Sequence, residues 1–184
     1  MMLGKGGCYG EQIQNLGKLS VAGDLEEGTG SECQVDIFDR YIDRLLKDVE
    51  FDAWEKADLR IGWDAGNGAS GDVISAVTKR LPGKHFLLNE QIDGTFPSHH
   101  PDPTVAENLV ELQDSVAANN LDAGVAFDGD GDRIGAVDCG GEIVWGDQLL
   151  AILAKDVLAE LPGSKIIADI KCSQLLFDHI NKLG

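Results

Sequence analysis

Paired cysteines are missing from this sequence. Its four cysteines stand at positions 8, 33, 139 and 172, with no CxxC pair among them. Zinc clusters of thiolates are therefore not expected, and scattered single thiols fit a reducing compartment. Positive charge is also scarce: 15 Lys and Arg face 32 Asp and Glu, a formal net charge of −17 at pH 7. Nucleic acids and anionic membrane surfaces are held by clustered Lys and Arg, so neither is an expected partner. No run reaches the ~18 consecutive apolar residues of a membrane span, and the opening MMLGKGGCYGEQ lacks the apolar core of a signal peptide. A cytoplasmic location is the expectation. What is present is an ordinary globular mixture, 43% hydrophobic over 184 residues. That is enough for one good core and part of a second.

Residues 1–33 differ from the rest. MLGKGGCYGEQIQNLGKL carries one short helix, while AGDLEEGTGSEC, rich in Gly and acid, reads as a linker. Ile37, Tyr41 and Leu45 then recur at helical spacing with Phe38 and Ile42 alongside, predicting an amphipathic helix over 34–49. Strand and helix signals alternate from there. LRIGW (59–63) is a strand closed by the turn DAGNGASG, and 70–81 is a helix ended by Pro82 and Gly83. HFLLN is a second strand, followed by the long loop DGTFPSHHPDP. Thr104, with Glu107 three residues on, is the expected N-cap of a helix over 104–119. AGVAF and IGAV are further strands around an antiparallel edge hairpin. CGGE then turns the chain into IVW and a helix over 147–160. KIIADI reads as a buried-type strand, and SQLLFDHINKL as a last helix. The expected class is α/β: a mixed, mostly parallel sheet with helices on both faces, plus a terminal strand–helix unit.

The chemistry concentrates in VAFDGDGDRIGAV (125–137). Asp128, Asp130 and Asp132 alternate with glycines directly after a strand, where open α/β sheets bind ligands. Carboxylates folded that close repel one another unless a cation joins them, and hard oxygen donors suit Mg²⁺ or Ca²⁺. An EF-hand is excluded by register: counting from Asp128, the sixth position is Arg133 rather than Gly and the twelfth is Cys139 rather than Glu. The plain alternative is a solvated acidic turn partly neutralised by Arg133. A second rival is an aspartyl phosphotransferase of the haloacid-dehalogenase type, although Asp132 stands where those enzymes resemble Thr or Val.

FDGDGDR resembles the metal-binding loop of the α-D-phosphohexomutases, the phosphomannomutase/phosphoglucomutase family. GWDAGNGASG (62–71), DGTFPSHHPDPTVAENL (93–109), WGDQLLAILAKDVL (145–158) and IIADIKCS (166–173) resemble further family segments in the family's order. The likeness is closest to the bacterial bifunctional mannose/glucose members, where a lysine in the Ile-Lys-Cys context of Lys171 recurs. It implies four domains around one cleft, with residues 1–33 as the tail of the first domain and linker. Residues 34–161 would be the metal-binding second domain, and 162–184 the truncated start of the third. It further implies that Asp128, Asp130 and Asp132 bind Mg²⁺ together with a phosphoserine of the first domain. Arg133 would lie near the phosphoryl group or sugar, or else bridge within its own loop. Lys171 would contact the hexose phosphate, or else be a plain surface lysine.

DAGNG invites a phosphate-cradle reading but is taken as structural, and His99 and His100 are expected to order their loop. The family's Thr-Ala-Ser-His-Asn-Pro serine motif, its Gly-Glu-x-Ser-Gly-His sugar loop and its Arg- and Ser-rich phosphate loop are absent. Two readings therefore coexist: the Mg²⁺-binding portion of a phosphohexomutase, inactive alone, or a stand-alone non-catalytic metal-binding module. The terminal unit 165–184 is expected to pack on the second domain or to pair between copies as a homodimer.

Overall fold

A computed structural model describes residues 2–3, 6–23 and 28–183. The chain divides into two compact units, Met1–Asp36 and Ile37–Gly184. In the first, β1 (Met2–Leu3) pairs antiparallel with β2 (Gly6–Gly7), and α1 (Glu11–Ala22) follows. Gly23 ends α1 in the left-handed conformation, the usual helix stop for a residue without a side chain. Part of the predicted linker, residues 24–27, lies outside the described residues.

The second unit begins with α2 (Phe38–Leu46) and α3 (Phe51–Ala57). The inward stripe of α2 is Ile42 and Leu46, whereas Ile37, Tyr41 and Leu45 are exposed. The helix is thus shorter than 34–49 and rotated from the stripe that spacing predicts. Next come β3 (Arg60–Asp64), α4 (Gly71–Thr78) and β4 (Lys84–Leu88). A 3₁₀ turn (Ala106–Leu109) leads into α5 (Val110–Asn119). Thr104 does not cap that helix: its hydroxyl donates to Asp102 Oδ1 at 2.7 Å, and the same oxygen accepts the Thr104 N–H at 3.1 Å. Asp102 thereby closes its own turn ahead of the helix. After β5 (Ala123–Phe127) follow β6 (Ile134–Asp138), β7 (Ile143–Val144), α6 (Gly146–Glu160) and α7 (Gln174–Leu183).

The sheet order is β4-β3-β5-β6-β7. β3 is parallel to both β4 and β5, whereas β6 is antiparallel to β5 and β7. Four strands therefore run one way and β6 alone runs against them. The β5–β6 hairpin is internal rather than at the edge, because β7 pairs outside it and packs Ile143 against the core. Alternation along the strands builds two apolar layers. One face gathers Leu109, Leu112, Val116, Ala126 and Val137 beneath α5. The other gathers Ile42, Leu46, Leu81 and Trp63 beneath α2 and α4. Gly124 lets α5 ride close: a Cβ there would stand 2.8 Å from Leu112 Cγ.

KIIADI does not form a strand. Among the described residues, 164–169 have no ladder partner, and Ile167 and Ile170 are 90% and 95% exposed. A run apolar on both faces needs neighbours on both sides, and the second unit's sheet offers it none. α7 packs on α6 through buried Leu176, and the Ser173 N–H donates to Asp147 Oδ2 at 3.0 Å.

Candidate metal centre

β5 and β6 are joined by Asp128–Arg133, a loop closed on itself by the backbone. The Asp128 N–H donates to the Arg133 carbonyl at 3.2 Å, and the Gly131 N–H to the Asp128 carbonyl at 3.1 Å. Gly131 holds φ +76°, which favours a residue without Cβ. The result brings Asp128, Asp130 and Asp132 together, with one carboxylate oxygen of each within 4.8 Å of the others. Asp128 is buried while Asp130 and Asp132 face solvent, so the trio forms a shallow cup with a buried floor.

Charge is unevenly distributed across it. Burial pushes the Asp128 carboxyl up, but the Arg133 N–H and guanidinium outweigh it and hold the group below its ordinary value. Arg133 reaches Asp128 twice, with its N–H to Oδ1 at 3.0 Å and Nε to Oδ2 at 2.8 Å. Asp132 moves the other way: the charges of Asp130 and then Asp128 raise its pKa. That repulsion is what a bound cation would relieve.

Arg133 therefore sits within its own loop, and it also approaches Asp102 at 3.5 Å. Lys171 is not brought to the carboxylates. It is 85% exposed, 3.9 Å from Asp169, and lines an open groove of about 740 Å³ with Ile134, Gly135, Thr104 and Trp145. Ile134 and Gly135 directly follow Arg133, so this groove starts where the acidic loop ends.

Sequence reasoning missed a second constellation. Asp64 is fully buried at the end of β3 and accepts His99 Nε2 at 2.9 Å, the Gly66 N–H at 2.9 Å and Asn89 Nδ2 at 3.1 Å. The reading of DAGNG as structural rests here on a backbone turn closed by Asp64. Thirty-five residues separate Asp64 from His99, so no local pattern links them. The DAGNG turn and His99 each read as structural in the sequence, but nothing in it pairs them.

Residues 39–141, more than half of the chain, match the family model for phosphoglucomutase/phosphomannomutase, alpha/beta/alpha domain II. A phosphomannomutase/phosphoglucomutase of Pseudomonas aeruginosa is 42% identical over 174 residues, 95% of this chain and 37% of that protein. A phosphoglucomutase of Neisseria gonorrhoeae is 38% identical over 189 residues, 100% of this chain and 40% of its own length. The crystal structure of a phosphoglucomutase/phosphomannomutase family protein from Burkholderia thailandensis superposes with a TM-score of 0.82 at 39% identity. It is matched over 96% of this chain and 38% of that one. The chain thus spans about two fifths of the length of these relatives. Family model, relatives and superposition agree, and the chain belongs to the phosphoglucomutase/phosphomannomutase family.

Proposed function

We propose that this chain is the metal-binding portion of a phosphohexomutase that interconverts hexose 1-phosphates and 6-phosphates. The observation that carries this reading is the convergence of three carboxylate oxygens within 4.8 Å at the carboxyl end of β5. The donor set fits Mg²⁺: all three candidate donors are hard carboxylate oxygens, and the charges of Asp130 and Asp128 push the Asp132 carboxyl up. Asp128, Asp130 and Asp132 would hold the ion. Bound there, Mg²⁺ supplies charge neutralisation at the oxygens of a phosphoryl group in transfer.

The protein's own residues do the rest. Asp128, fixed by two hydrogen bonds from Arg133, sets the floor of the cup. Asp130 and Asp132 stay open to solvent, where a phosphoryl group could reach them. Arg133 keeps a permanent positive charge beside the carboxylates, offsetting part of their field where an anionic sugar phosphate must come near. Lys171 extends an unburied ammonium into the neighbouring groove, as a contact for the phosphate of the hexose.

The sequence contains no Thr-Ala-Ser-His-Asn-Pro segment, so the chain alone should not turn over hexose phosphates, even with a hexose 1,6-bisphosphate primer. A chimera tests the assignment. With this chain replacing the matching 174 residues of the Pseudomonas aeruginosa protein, mutase activity is expected. Asp130→Asn in the chimera should lower kcat by at least about 100-fold, the scale of losing one electrostatic contact to a transition state. A folded chimera whose activity ignores that substitution would refute the assignment of the loop.

A further inference from the structure

Both ring nitrogens of His99 face oxygen acceptors. Nε2 lies 2.9 Å from Asp64 Oδ2, and Nδ1 lies 3.0 Å from the His100 carbonyl. A neutral imidazole carries one N–H and one lone pair, so either tautomer would turn its lone pair against an oxygen. Only the imidazolium satisfies both contacts. The pair is sheltered, with the side chains 16% and 0% exposed for His99 and Asp64.

The charged groups around the ring agree. Asp64 comes from the end of β3, and Glu111 on α5 joins through Asn89, whose Nδ2 donates to both carboxylates. Burial pushes His99 down, yet the His100 carbonyl, the Asp64 carboxylate and Glu111 outweigh it, and the pKa lies above the ordinary value. The stabilisation from this contact is therefore complete in acid and is lost as pH rises through the folded-state pKa.

His99 anchors the loop 93–103, and that loop is the wall of the carboxylate cup. A Cβ on Gly129, in the middle of the acidic loop, would touch Pro101 Cγ at 3.4 Å and Phe96 Cζ at 3.5 Å. A Cβ on Gly66 would stand 2.9 Å from Pro101 Cβ, and one on Gly135 2.8 Å from Pro103 Cβ. Asp102, between the two prolines, is the second acceptor of Arg133. The turn that follows Asp64 reaches the same place from the other side, through the Ala69 N–H donating to the Gly129 carbonyl at 2.9 Å. Phe96 itself sits at φ +50°, a costly conformation for a bulky side chain, which persists only where its surroundings hold it.

We propose that His99 is a positioning residue for the acidic loop: as an imidazolium clamped by Asp64, it holds the 93–103 wall against Gly129 and so shapes the cup formed by Asp128, Asp130 and Asp132. This rests on the metal reading for its consequence but not for its geometry. The consequence has an unusual sign. Carboxylate sites gain metal affinity as pH rises, because their ligands shed protons. Here affinity should fall on going from neutral to alkaline pH, as His99 loses its charge and the wall loosens.

The test is a Mg²⁺ titration of the whole chain by calorimetry at about pH 6 and about pH 9, beside His99→Gln. Glutamine can still donate to Asp64 but carries no charge. The wild-type chain should bind roughly tenfold more weakly at the higher pH, in the range of losing an outer-shell support. The variant should be weak at both pH values. Affinity that is flat or rises with pH in the wild type, or a variant that matches it at the lower pH, would overturn the proposal. Hydrogen-exchange protection factors for 129–133 separate this from the metal reading. If no Mg²⁺ binds but protection of those amides drops at the higher pH, the clamp stands and the metal reading falls. Unchanged protection removes the clamp, and the wild-type pH series decides this even where the variant fails to fold.

Discussion

Asp128 and Asp132 lie four positions apart, yet their environments push them in opposite directions. Asp128 is lowered by Arg133 against its own burial, and Asp132 is raised by Asp130 and Asp128. A carboxylate already paired and one still repelled make a site with a fixed end and a responsive end. Because Asp130 is the first source of the Asp132 shift, Asp130→Asn should lower the Asp132 carboxyl toward its ordinary value. A carbon-detected NMR titration of the side-chain carboxyls would show it. An Asp132 that titrates unchanged in the variant would mean the trio does not converge in solution. The acidic trio was legible as a motif because alternate Asp and Gly after a strand is a local pattern. The division of labour within it was not, since it depends on which carboxylate the fold buries and where the Arg133 side chain turns. The Asp64–His99 contact was still less visible, as it joins a strand end to a loop far along the chain.

Local pattern also set the limit for the elements. β3, α4, β4, β5 and β6 were readable because each is an apolar run or repeat closed by a turn of Gly, Asn or Asp. α3 escaped notice because, in seven residues, Trp54 is its only large apolar side chain packed into the core. KIIADI looked like a strand, but strand formation needs a neighbour, and none is named by the run itself. The place of β7 outside β6 is likewise a property of the sheet, not of two residues. The contact between α5 and the sheet gives a quantitative check. A methyl group at position 124 would meet Leu112 Cδ1 and Cγ at 2.8 Å. Gly124→Ala should therefore destabilise the chain by about 1–3 kcal/mol in urea unfolding, the cost of overpacking a filled core. Leu112→Ala alone should cost about 2–5 kcal/mol. The double variant should lose less than the sum, because the smaller partner makes room for the methyl. Strict additivity would mean the helix and sheet do not meet as closely as described.

For the whole molecule, the acidic surplus and the metal reading have to be kept apart. A chain with a formal net charge of −17 attracts any divalent cation to its surface without building a site for one. Asp130→Asn changes that overall field by a single charge while removing one of the three convergent carboxylates. The family model covers residues 39–141, and the relatives match 95–100% of the chain. That leaves the chemistry resting on a loop of six residues in a chain that spans about two fifths of its relatives' length. The most direct measurement is therefore a Mg²⁺ titration of the chain by calorimetry at moderate salt, repeated on Asp130→Asn. Saturable one-site binding in the wild type, lost in the variant, is the predicted result. No binding to either chain, or equal binding to both, would contradict the assignment of Asp128, Asp130 and Asp132 as a metal site.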